Sequence, residues 1–151
     1  MKNCIVYDTR RKRSATRQLA EWMKEYLEEK DYIVEIKKPY EIRDFNYDLF
    51  IIGSPIYYEK PMKSIINFLS KNKDNLKDKR IAIFVVCIAE MFGKYTMKYI
   101  NDKYLKPLIM ELLTKPITTC IFRGWLYRVD LKQKDACVRC IKNTLSSISN
   151  M

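Results

Sequence analysis

The sequence predicts an α/β fold: a three-layer, doubly wound domain over residues 1–151, with a five-stranded parallel sheet in the order 2-1-3-4-5. Three observations predict it. Short apolar runs alternate with amphipathic segments in the pattern β-α-β-α-β-α-β-α-β-α, which implies right-handed crossovers and one parallel sheet. The runs at Leu49–Ile52 and Ile81–Ile88 are continuously apolar and lie between turn-forming residues, as in strands buried on both faces. The 151 residues and 48% hydrophobic content suit one domain with a full core.

In chain order, Asn3 to Tyr7 is the first strand and Asp8 ends it. The polar, basic connection Thr9-Arg10-Arg11-Lys12-Arg13-Ser14-Ala15-Thr16 follows. From Ala15 to Lys30 the spacing is helical, with Leu19, Met23, Tyr26 and Leu27 on one face and Ser14 as the N-cap. Ile33, Val34 and Ile36 mark the second strand, and Pro39 to Phe45 leaves room for a short helical turn at most. The third strand, Tyr47 to Gly53, stops at Gly53-Ser54-Pro55, and Pro61 suits the first turn of the next helix. Met62, Ile65, Ile66 and Leu69 form the buried face of that helix. A lysine-rich turn, Lys71 to Lys79, leads to the fourth strand at Ile81–Ile88. Tyr95 to about Thr114 is helical, kinked or divided at Pro107. Ile117 to Phe122 is the fifth strand, and Asp135 to Ser149 the last helix.

In a sheet of this order ligands bind beyond the carboxyl ends of the strands, at the switch point between strands one and three. The loops meeting there are Thr9 to Ser14 and Ser54 to Lys60, with Ala89 to Lys94 on the far side of strand three. They carry the candidate site residues Thr9, Arg10, Arg13, Ser14, Ala15, Thr16, Ser54, Pro55, Ile56, Tyr57, Tyr58, Phe92 and Gly93. A helix N-terminus with hydroxyls from Thr9, Ser14 and Thr16 and cations at positions 10–13 suits a phosphate dianion. Tyr57, Tyr58 and Phe92 offer faces for a flat ring. Trp125 and Tyr127, after strand five, lie at the same edge.

Composition narrows the chemistry. With no histidine in the chain, histidine acid–base catalysis and histidine-dependent triads are excluded. Cys137 and Cys140 share a helical face with Ile141, Thr144, Leu145 and Ile148, and read as buried apolar side chains rather than a metal or redox pair. Five cysteines, an odd number without a secretory context, suggest no disulfide framework. The longest uncharged apolar run falls short of a membrane span and the N-terminus lacks the pattern of a signal peptide, so the expected location is cytoplasmic. The formal net charge of +11 favours an anionic counterpart, such as a phosphate-bearing ligand, an acidic protein or nucleic acid. Nucleic acid is disfavoured, because charge alone points to it.

Val6-Tyr7-Asp8-Thr9 with Ser14-Ala15-Thr16-Arg17-Gln18-Leu19-Ala20 resembles the first strand, phosphate loop and first helix of the flavodoxin-like family. Ile51-Ile52-Gly53-Ser54-Pro55-Ile56-Tyr57-Tyr58 followed by Lys60-Pro61-Met62 resembles its second flavin loop, and Phe122-Arg123-Gly124 the step after its last strand. The resemblance covers essentially the whole chain, and is strongest to short flavodoxin-domain proteins and flavodoxin-like protoporphyrinogen dehydrogenases. It implies FMN as cofactor, with the phosphate at the first loop and the ring between the second and third, and a role as electron carrier or small oxidoreductase. In such a role the net charge favours an acidic redox partner protein or an anionic small-molecule substrate. The first loop differs in lacking the family's usual glycine and in being about two residues longer. A second reading follows, of a flavin-free member that serves as a binding module for an anionic partner.

Overall fold

The computed structural model describes residues 1–88 and 97–151. Strand β1 (Lys2–Tyr7) pairs in parallel with β2 (Ile33–Lys37) on one side and β3 (Leu49–Tyr57) on the other. Strand β5 (Arg80–Ile88) follows β3 and β6 (Thr118–Gly124) follows β5, all parallel. The five long strands thus have the expected 2-1-3-4-5 order. A sixth, two-residue strand, β4 (Lys60–Pro61), pairs antiparallel with the end of β3.

Period-two alternation divides the strands between two cores. Val6, Ile52, Val85 and Cys87 point to one face, where Ile65 and Leu69 of α2 (Lys63–Lys71) meet Tyr104 and Leu108 from residues 97–109. Tyr7, Ile51, Phe84, Val86 and Phe122 point to the other face, against α1 (Ala15–Glu29) and the final helix, α6 (Lys132–Ser149). Helices therefore cover both faces, and β3 is buried along all but its last residue.

Three expectations are corrected. The third strand does not end at Gly53 but runs on to Tyr57, because Gly53, Ser54 and Pro55 all pair with β5. Pro55 and Pro61 punctuate the sequence without breaking the pairing, since each lies where the strand can do without its missing N–H. Pro61 accordingly belongs to β4, and α2 begins after Met62. Cys140 is not a free thiol. It forms a disulfide with Cys120 of β6, tying α6 to the edge strand, while Cys137 is free and buried. The 20-residue separation hid this partner, because only the packing of α6 onto β6 brings the two sulfurs together.

The segment after residue 96 is a composite helix: α4 (Met97–Ile100), a π-helical turn over Asn101–Leu105, and α5 (Lys106–Ile109). The Lys106 amide donates to the Asn101 carbonyl in this wide turn, beside Pro107, which has no amide to give. A further short helix, α3 (Lys73–Leu76), occupies the lysine-rich turn before β5. Among the described residues no helix is long and apolar enough to cross a membrane.

Candidate functional site

At the carboxyl edge of β1 and β3 the chain builds a small cavity of about 50 Å³. Ser14, Ala15 and Thr16 from the start of α1 form one wall, and Pro55, Ile56 and Tyr57 from the end of β3 another. Val86 and Cys87 of β5 and Gly124, Trp125 and Leu126 after β6 complete it, with Arg11 at its mouth. Burial pushes the Cys87 thiol up to about 12, so it stays protonated and acts as a small apolar surface.

The start of α1 has anion-binding character. The Ser14 hydroxyl accepts from the Arg17 amide at 3.1 Å, the N-cap read from the sequence. The Gln18 amide donates to the Ser14 carbonyl at 3.2 Å. The amides of Ala15 and Thr16 find no acceptor among the described residues. Two N–H groups are thus presented at the positive end of a helix of 15 residues.

The basic loop is braced rather than loose. Thr9 Oγ1 lies 3.2 Å from the Tyr57 hydroxyl and accepts from the Arg11 amide at 3.2 Å. These contacts tie the first loop to the end of β3. The Arg10 guanidinium lies over the rings of Tyr57 and Tyr58, at 5.1 and 5.7 Å from their centroids. The Arg11 guanidinium donates to the Leu126 carbonyl at 2.8 Å, spanning the cavity mouth.

The second loop is a tight hairpin. Tyr57 pairs with Lys60, leaving Tyr58 and Glu59 as turn residues at φ 50° and 64°. Such turns normally employ Asn-Gly, because a left-handed conformation costs other residues about 1–2 kcal/mol each. Two sets of hydrogen bonds offset that cost. The Glu59 carboxylate accepts from the hydroxyls of Tyr99 at 2.9 Å and Tyr104 at 2.8 Å. The Ser54 hydroxyl accepts from the Met62 amide at 2.9 Å and donates to the Pro55 carbonyl at 2.8 Å. Tyr58 is left 86% exposed at the hairpin tip.

The structure therefore brings Ser14, Ala15, Thr16, Pro55, Ile56 and Tyr57 around one cavity, with Thr9 and Arg10 bonded or stacked onto Tyr57. Ser54 is buried beneath the hairpin and committed to it, and Tyr58 projects outside. Arg13 lies on the neighbouring exposed face, in a groove shared with Lys12, Arg17, Trp125 and Val129. Phe92 and Gly93 lie outside the described residues. Sequence reasoning did not single out Val86, Cys87 or Leu126 as part of the wall, and read Arg11 only as added positive charge. No local signal identifies them, since the pairing of the end of β5 beside β3 and the chain path after β6 bring them there. Trp125 does reach the edge, and it also packs on Trp22 of α1 with ring centroids 5.8 Å apart.

The family model described as a flavodoxin domain matches residues 4–144. The chain belongs to the flavodoxin-domain family. A search of curated proteins gives no significant match. Among solved structures, this flavodoxin-domain chain is similar to a Streptococcus pneumoniae flavodoxin at 12% identity and a TM-score of 0.71, covering 97% of this chain and 99% of that one. A candidate quinone reductase from Klebsiella pneumoniae is similar at 14% identity and a TM-score of 0.70, covering 98% and 85%. An archaeal flavodoxin is similar at 18% identity and 0.63, covering 97% and 99%. At these identities the likeness concerns the fold.

In chemical terms, the cavity offers amides, hydroxyls and cations at one end and aromatic faces outside it. Among the described residues no group of histidine, cysteine or carboxylate side chains is arranged to hold a metal ion.

Proposed function

We propose that this domain binds FMN and acts as an electron-transfer protein or small oxidoreductase. The observation that carries the reading is the pair of amides of Ala15 and Thr16, without an acceptor among the described residues, at the wall of a cavity at the switch point. The residues fit the group. The cavity holds several water-sized volumes, the scale of a phosphate and far below that of a fused three-ring system. The phosphate would be held by the α1 amides with Thr16, Arg10 and Arg11. The ring would lie along the hairpin, against Tyr57 and Tyr58. Flavin, when bound, supplies the electron or hydride chemistry that the side chains of this cleft lack.

The remaining tasks fall to the chain. Ser14 fixes the first turn of α1, so that the amides keep their aim. Glu59, Tyr99, Tyr104 and Ser54 hold the hairpin in its left-handed turn and so position Tyr57 and Tyr58. The Thr9–Tyr57 contact joins the two loops across the switch point. The net charge of +11 suits an acidic redox partner or an anionic small-molecule substrate.

A second reading rests on Arg11. Its guanidinium is already bonded to the Leu126 carbonyl across the cavity mouth, as befits a domain without flavin that binds an anionic partner instead. One titration separates the two readings. On the first, FMN fluorescence is quenched on adding protein, and saturating FMN raises the melting temperature. Ser14→Ala/Thr16→Ala weakens that binding. If FMN at millimolar concentration gives neither quenching nor thermal stabilisation, the flavin reading is wrong and the binding-module reading stands. Unchanged affinity in the double variant would place the phosphate elsewhere.

A further inference from the structure

The segment after β6 has, at residues 126–131, a surface of which the cleft uses only the first residue, Leu126. Within six residues, Leu126 is 43% exposed, Tyr127 94%, Val129 45% and Leu131 70%. Exposed apolar groups scattered singly need no explanation, but four in one short connection do. Cations are interleaved with them: Arg128 within the segment and Lys132 and Lys134 just after it, all exposed. The one carboxylate of this stretch, Asp130, accepts from the Lys132 amide at 3.1 Å and so serves the start of α6. The segment also adjoins the basic loop. Arg11 donates to the Leu126 carbonyl, and Val129 and Trp125 share a groove with Lys12 and Arg13.

We infer that the connection at residues 126–131, with the cations around it, is a docking surface for an anionic lipid bilayer. Alternation of aliphatic, tyrosine and Lys/Arg side chains suits the lipid–water boundary. There the apolar groups enter the headgroup region while the cations remain beside lipid phosphates. Charge complementarity selects the occupant: positive groups from two adjoining loops meet a surface of like-signed phosphates, which strengthens attachment with each cation. A neutral bilayer would engage the apolar tips alone. Docked in this way, the cleft mouth between Arg11 and Leu126 lies next to the membrane surface, within reach of amphiphilic compounds dissolved there. The inference does not depend on flavin, because Tyr127, Arg128, Leu131 and Lys132, which the test varies, lie outside the cleft and binding is read without cofactor.

The test is flotation of the full chain with vesicles of equal parts phosphatidylglycerol and phosphatidylcholine, against pure phosphatidylcholine. Binding is expected to the anionic vesicles only, and to weaken as salt rises. Tyr127→Ser/Leu131→Ser should lose at least tenfold in vesicle affinity, and Arg128→Gln/Lys132→Gln about fivefold per cation removed. All four positions are exposed, and melting curves matching the parent establish that the variants fold. Tyr127→Trp supplies an independent reading: its emission, taken as the difference from the parent with Trp22 and Trp125, should shift to the blue on saturation with anionic vesicles. Absence of binding at low salt overturns the inference. So does a Tyr127→Ser/Leu131→Ser variant that binds as tightly as the parent, because attraction by net charge alone would then account for attachment. An unmoved emission in the Tyr127→Trp protein overturns it equally. If vesicles fail while immobilised polyglutamate retains the parent but not the Tyr127→Ser/Leu131→Ser variant, the surface serves an acidic protein and the lipid assignment is wrong.

Discussion

Replacing Gly53 by alanine tests why that glycine stands in the middle of β3. A Cβ built there meets Phe84 Cζ at 2.0 Å and its two Cε atoms at 2.3 and 2.4 Å. Phe84 is 1% exposed and packs edge-on to Phe122, with centroids 5.8 Å apart, so its ring has no free space to enter. Backbone conformation is not the obstacle, because Gly53 lies in regular parallel pairing with Tyr7 and Phe84. In the absence of the ring, Gly→Ala would stabilise by about 0.4–1 kcal/mol through the unfolded chain. Overpacking costs about 1–3 kcal/mol and wins here, because the contact is far inside van der Waals separation. At this chain length each kcal/mol moves the melting temperature by about 2–4 °C, so a fall of roughly 2–12 °C is expected. Thermal unfolding followed by circular dichroism measures it. Phe84→Leu removes the offending ring atoms, and the double variant should recover part of the loss, giving a favourable coupling of about 0.5–3 kcal/mol. An alanine variant melting with the parent, or a strictly additive double variant, would refute the packing argument.

Further outcomes follow from other parts of the structure. Ser14→Ala removes the cap of α1 and should cost about 0.5–2 kcal/mol, read as a lower melting temperature with unchanged helix content at 25 °C. Thiol titration of unreduced protein should find three reactive groups after denaturation, since Cys120 and Cys140 are joined; five would show that the disulfide does not form. Before denaturation reaction should be slow, because burial pushes the thiols of Cys4, Cys87 and Cys137 up to about 12. The Tyr47 hydroxyl donates to the Glu35 carboxylate and holds its pKa below the ordinary 4.5. A carboxylate depressed in the folded state adds stability above its unfolded pKa and loses it as pH falls through the folded value. Melting temperature should therefore drop more steeply below about pH 4.5 in the parent than in Tyr47→Phe, and equal slopes would count against the bond.

Residues with a local job were legible. Ser14 before an amphipathic run is a helix cap whatever surrounds it, and the alternation of apolar runs with helical segments gives five strands in one parallel sheet, whose order follows from the doubly wound arrangement that this pattern matches. Proline and glycine misled where tertiary pairing overrode their usual meaning. Gly53-Ser54-Pro55 has the composition of a turn, yet β5 on one side keeps it in the sheet and the Phe84 ring takes up the space of the missing side chain. The Tyr58-Glu59 turn was illegible for the opposite reason. Nothing local favours left-handed tyrosine and glutamate, and the hydroxyls of Tyr99 and Tyr104 that hold Glu59 come from some 40 residues away.

By itself, then, the sequence determined the layered fold, the position of the switch point and the helix cap facing it, because periodicity, turn residues and caps act over a few residues. Only the tertiary structure decided that Arg11 spans the cavity mouth to Leu126, that Cys120 and Cys140 are joined, and that Ser54 serves the hairpin rather than its surroundings. Each of these depends on where two distant segments meet once both faces of the sheet are covered, and a linear pattern does not encode that distance.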